Sequence, residues 1–126
     1  MQRAYLDIAK KWGVVVAWDI GRGDLDEIAS WLDALSCPRR EITDAQRVIM
    51  RRNTGFTYTN PDLKMSLVCI GNATDKAQWW DTLAHELLDH VQTAICRYYS
   101  VNLDSEESAY LTGYLMRQFV RASRVR

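Results

Sequence analysis

The sequence predicts an α+β fold: a small antiparallel or mixed sheet packed against a long helix and the helix that follows it. Three observations carry this. GVVVAWDI (13–20) is rich in β-branched residues and bounded by glycines, the pattern of a buried strand. TGFTYTN and LKMSLVCIG are strand-like runs joined through Asn60-Pro61-Asp62, a turn signal, and together predict a hairpin. The run from Asn72 to Tyr99 holds neither glycine nor proline and predicts one long helix.

The other elements come in order. QRAYLDIAKKW carries apolar residues at Ala4, Leu6, Ile8 and Trp12 and is expected to be a helix ending at Gly13. Gly21–Gly23 is a turn and lacks the further glycine of a dinucleotide loop. In DLDEIASWLDALS, Leu25, Ile28, Ala29, Leu32 and Leu35 keep helical spacing, so an amphipathic helix is expected to end near Cys37–Pro38. TDAQRVIMRRN predicts a further helix, with Thr43 as its cap and Gln46 at the capping-box position. Asp75 and Gln78 form the same pattern at the start of the long helix. SVNLD is a loop. A last helix starts at Ser105, with Glu106 and Glu107 at its positive N-terminal end.

At 126 residues, 48% of them hydrophobic, the chain suits one domain over 1–126 and is too apolar for disorder. Sixteen lysines and arginines balance sixteen acids, so net charge points to neither nucleic acid nor an anionic membrane. Basic patches at Pro38–Arg40, Met50–Asn53 and Val120–Arg126 read as solvated surface. The first residues show no secretory signal, and no apolar run is long enough to span a bilayer. Cys37, Cys69 and Cys96 are scattered and odd in number, as in reduced thiols of a cytoplasmic protein.

Both histidines of the chain lie in HELLDH, His85 to His90. Two histidines on one helix face hold zinc when four residues apart, and a glutamate after the first stands where it can take a proton from the metal-bound water. Here the second histidine is five residues on. A regular helix would put it about 140° around from the first. A single π turn, of about 4.4 residues, brings the two back toward one side, and such turns favour functional sites. In an undistorted helix Asp89, four residues after His85, would take the second ligand position instead. Asp81, one turn earlier, could orient the His85 ring or be a plain surface aspartate.

HELLDH resembles the H-E-x-x-G-H motif of the dipeptidyl peptidase III family, in which both histidines bind zinc; Asp89 stands at the glycine. EESAYLTGY (106–114) is similar to the second half of small prophage and mobile-element proteins that read H-E-x-x-H, then E-x-x-A-Y-L-x-G-Y. These resemblances imply a minimal gluzincin, a zincin-like domain with a glutamate on the following helix as third ligand. Glu106 shares a stripe with Ala109, Gly113 and Val120, whose small residues would admit a close neighbour. Glu107, which lines up with Tyr110, Leu111 and Tyr114, ranks second and Asp104 third. Each glutamate taken alone is better explained by the helix dipole. Tyr110 or Tyr114 could serve an oxyanion, or be core aromatics.

The expectation is therefore a cytoplasmic zinc metallopeptidase or amide hydrolase acting on a peptide or protein. Its metal ligands would be His85, His90 and Glu106, with Glu86 as general base and MSLVCIG as a sheet edge for the substrate. The alternative is a non-catalytic phage or mobile-element interaction protein that keeps the fold. A nucleic-acid regulator using the arginine clusters is the weakest reading.

Overall fold

The structure, a computed structural model, describes residues 1–123. The basic stretch at the C-terminus therefore ends outside the described residues. Four strands form one mixed sheet in the order β1-β2-β4-β3. β1 (Gln2–Ile8) and β2 (Trp12–Trp18) make an antiparallel hairpin, as do β3 (Gly55–Asn60) and β4 (Met65–Ile70). β2 and β4 run parallel, with Val16 beside Val68, and so join the two hairpins.

The N-terminal segment corrects the expected helix. Ala4, Leu6 and Ile8 are buried while Arg3, Tyr5 and Asp7 are exposed, a period of two rather than 3.6. The turn after it has no glycine or asparagine; Ala9 and Lys10 themselves take positive φ, 54° and 59°. Turn chemistry thus gives no warning of a hairpin. In the second hairpin the warning is explicit. Asn60 Oδ1 accepts from the backbone N–H groups of Asp62 and Leu63 at 3.0 and 3.4 Å, an Asx turn.

The sheet is covered on both faces. On one lie α1 (Leu25–Ala34) and α2 (Arg39–Ile49), whose Ile28, Leu32, Ala45 and Ile49 pack with Ala17, Leu67 and Cys69. α1 is entered through one 3₁₀ turn, Arg22–Asp24. α2 begins at Arg39, four residues before the expected cap. Thr43 lies inside it, donating to Arg39 O, and Gln46 donates to Leu25 O of the neighbouring helix.

On the other face lies the long helix in three parts: α3 (Lys76–Leu83), a π segment (Ala84–Val91) and α4 (Gln92–Tyr98). α5 (Glu106–Ser123) packs beside it and over β1. Their Leu83, Leu87, Val91, Leu115 and Phe119 meet Leu6, Val14, Val16 and Val68 of the sheet. Trp79 and Trp80 serve this packing, in edge contact with each other and near Trp18 and Phe119. A polar chain in this layer is satisfied: Trp12 Nε1 donates to Ser66 Oγ at 3.0 Å, and Ser66 Oγ bonds Thr59 Oγ1 at 2.8 Å. No helix among the described residues is long and apolar enough to cross a membrane.

The expected edge strand is also corrected. MSLVCIG is β4, an inner strand paired on both sides; the edge beside the long helix is β3.

Candidate metal centre

Asp75 opens the long helix by accepting from Gln78 N at 2.7 Å. The Gln78 side chain does not close the box; it donates to Asp81 Oδ2 at 3.3 Å. Asp81 is thereby engaged away from the His85 ring. From Ala84 the helix widens into the π segment, and this sets the site.

With about 4.4 residues per turn each residue advances about 82°, so His90 falls about 50° from His85, and Glu86 about 30° beyond His90. The three side chains fan out side by side in the order His85, His90, Glu86. His85 Nε2 and His90 Nε2 are 3.1 Å apart, with rings near perpendicular. Glu86 Oε2 is 3.9 Å from His90 Nε2. One ligand atom from each of these three residues lies within 4.8 Å of the others. The same winding turns Asp89 to the far side of His85. It is exposed, with Thr93 Oγ1 at 3.5 Å as its partner, and it is His90 whose ring nitrogen stands beside that of His85. No residue of the π segment has positive φ, which is why an aspartate serves where the resembling motif has glycine.

The histidines are exposed, whereas Glu86 is 5% exposed and lies against β3. There Thr57 Oγ1 donates to Glu86 Oε2 at 3.0 Å. Gly55 makes the room: a Cβ on it would stand 2.7 Å from Glu86 Cγ and 2.9 Å from Thr82 Cγ2. Burial, and next the Glu86 charge, push the Cys69 thiol up to about 12. Thr57 and Gly55 are residues of the site that the sequence reading misses. Their signal is the alternation in TGFTYTN, which puts Gly55, Thr57 and Thr59 on one face.

The acids of α5 do not join the cluster. The stripe that favours Glu106 faces solvent: Glu106, Ala109, Gly113 and Val120 are all exposed, and a Cβ at Gly113 would meet nothing within 4 Å. Ser105 caps α5 by accepting from Ser108 N at 3.2 Å, leaving Glu106 and Glu107 at its positive end. Glu107 borders a separate hollow with Lys11 and Tyr99. Asp104 is exposed in the preceding loop. Tyr110 is 74% exposed; Tyr114 packs against the core beneath the Arg117 guanidinium. What docks α5 onto the π segment's end is Gln92, whose side-chain amide donates to Ser108 Oγ.

The donor set fits a zinc ion in kind and spacing. Two nitrogens each about 2.1 Å from one ion, near a tetrahedral angle, stand roughly 3.2–3.4 Å apart, close to the 3.1 Å between the two Nε2 atoms. Both histidines reach solvent, and among the described residues the only carboxylate grouped with them is Glu86. No family model matches the chain, and no curated protein or solved structure is significantly similar to it.

Proposed function

We propose that the protein is a zinc-dependent hydrolase of peptide or other amide bonds, with His85 and His90 holding the metal and Glu86 as general base. The observation that supports this most is the π segment. A costly departure from α-helix puts two imidazole nitrogens 3.1 Å apart beside a buried carboxylate. Zinc held there would supply a Lewis acid and lower the pKa of its water to about 7.

The chain's own residues do the rest. Glu86 accepts a proton from the attacking water and returns it to the leaving amine. Thr57 holds Glu86 Oε2 from the sheet side, the same oxygen that stands 3.9 Å from His90 Nε2. The edge of β3 that carries Thr57 is paired only with β4, so its outer backbone groups are open to an extended peptide. The two histidines are the protein ligands proposed; Glu86 is assigned to the base, and the acids of α5 stand apart from the cluster.

The test is bound zinc and peptide cleavage measured on the same variants. Wild type should hold about one zinc per chain, and His85→Ala should lose it. Glu86→Gln should keep zinc while cleavage falls roughly 10²–10⁴-fold. Glu106→Gln should keep zinc, and loss of zinc with Glu86→Gln would make Glu86 a ligand rather than the base. A wild type that stays metal-free in excess zinc sinks the reading.

A second reading has one observation in its favour: no α5 acid stands at the cluster. It is a phage or mobile-element interaction protein that keeps this fold without turnover. Zinc-loaded wild type that cleaves nothing in a broad peptide library would support it.

A further inference from the structure

A hollow of about 370 Å³ opens directly beside His85 and Glu86. Its walls come from the π segment and α3 on one side and from the approach to β3 on the other, including Asn53, Gly55, Gln78 and Asp81. That volume is at the lower end for ligand pockets and suits one long side chain with its water.

The lining has one electrostatic sign. It carries two carboxylates, Asp81 and Glu86, and neither a lysine nor an arginine. Several of its polar groups already have partners within the protein. Thr54 Oγ1 donates to the carbonyls of Val48 and Arg51, and Thr82 Oγ1 to that of Gln78. The Gln78 amide goes to Asp81 Oδ2. Asn53 Oδ1 accepts from Thr74 N. The charged groups of its lining are acidic: Asp81, whose Oδ2 accepts from Gln78, and Glu86, whose Oε2 accepts from Thr57.

We propose that this hollow receives a basic side chain, lysine or arginine, from the residue next to the bond being cut; the assignment rests on the hydrolase reading. A guanidinium or ammonium gains charge-assisted hydrogen bonds to Asp81. An apolar side chain of equal length would strip water from Asp81 and return nothing. An acidic side chain meets the like charge of Asp81, while that of Glu86 would be offset by a bound zinc. The order of preference is therefore basic, then neutral, then acidic.

Two measurements test it. In the first, zinc-loaded protein is given a mixed peptide library and the cut sites are mapped. Lysine or arginine should flank the cut at least about tenfold over norleucine. Asp81→Asn should bring the two near parity, and Asp81→Lys should turn the preference to glutamate. Efficient cutting beside apolar or acidic residues would overturn the inference while leaving the hydrolase reading intact.

The second measurement is independent of turnover. Metal-free protein is titrated with N-acetyl-arginine amide, N-acetyl-norleucine amide and N-acetyl-glutamate amide and followed by NMR. Only the arginine compound should shift the amides of Gly55, Gln78 and Thr82 saturably, and Asp81→Asn should abolish the effect. Equal shifts with norleucine, or none with arginine, would refute the pocket whatever the library shows.

Discussion

His85 Nε2 and His90 Nε2 stand 3.1 Å apart although the second is five residues further along the helix. The wide turn between them is one residue more than an α-helix needs, and the helix on either side keeps its own register against the core: Leu83 before it and Ile95 after it are both buried. Removing the extra residue should therefore relax the turn without rotating α4. Deletion of Asp89, which is exposed, converts HELLDH to the four-residue spacing. The variant should stay folded by circular dichroism, melt within a few degrees of wild type and retain the metal. Loss of the fold would mean that the π turn is built into the packing of α4.

Gly55→Ala should destabilise by about 1–3 kcal/mol, the range for forcing a methyl into a filled site. Two of its close contacts are side-chain carbons and could yield, but the third, Cys69 O at 3.1 Å, is sheet backbone. Adding Thr82→Ser to it removes the Cγ2 clash while keeping the hydroxyl that bonds Gln78 O. Urea unfolding of the double variant should recover part of the loss.

Thr57→Val keeps the β-branched shape of the edge strand and deletes the donor to Glu86. A hydrogen bond to a buried charged group is worth about 1.5–3 kcal/mol, and that is the stability loss expected in denaturant titration at neutral pH. Thr57→Ser, which retains the hydroxyl, should recover most of it. A valine variant as stable as wild type would show that Glu86 finds another partner.

Cys69 sets an alkaline limit. Its thiol is pushed up to about 12 in the fold by burial and then by Glu86, against 9.0 for an ordinary thiol. Below about pH 9 both states hold the proton and nothing is lost. Between about 9 and 12 the unfolded chain ionises while the native thiol does not, so stability falls as pH rises. Unfolding midpoints at about pH 8, 9 and 10 should decline more steeply for wild type than for Cys69→Ala. Native protein at about pH 8 should also leave Cys69 unmodified by iodoacetamide.

Much of the fold is legible in the sequence where local chemistry is explicit. The Asx turn at Asn60, the cap at Asp75 and the cap at Ser105 all act where side-chain type indicates. The convergence of His85 and His90 reduces to a question of winding, and one structural element answers it. What stays hidden depends on partners distant in sequence. β1 reads as a helix because Ala4, Ile8 and Trp12 are spaced four apart, as on one helical face, and its turn uses Ala9 and Lys10. Glu106 attracts attention because small residues along a helix suggest a close neighbour, but on α5 that stripe faces water. Thr57 and Gly55 acquire their role only when β3 is laid against the π segment.

The parallel pairing of β2 with β4 has a consequence for how the chain reaches this state. Each hairpin closes a short loop, whereas Val16 and Val68 pair across a long stretch of chain, whose closure costs more entropy. The residues that build the cluster, from Gly55 to Val91, are local in sequence by comparison, and the seam is what ties their sheet to the first hairpin. Strengthening the seam, rather than the site, would speed the arrival of competent protein.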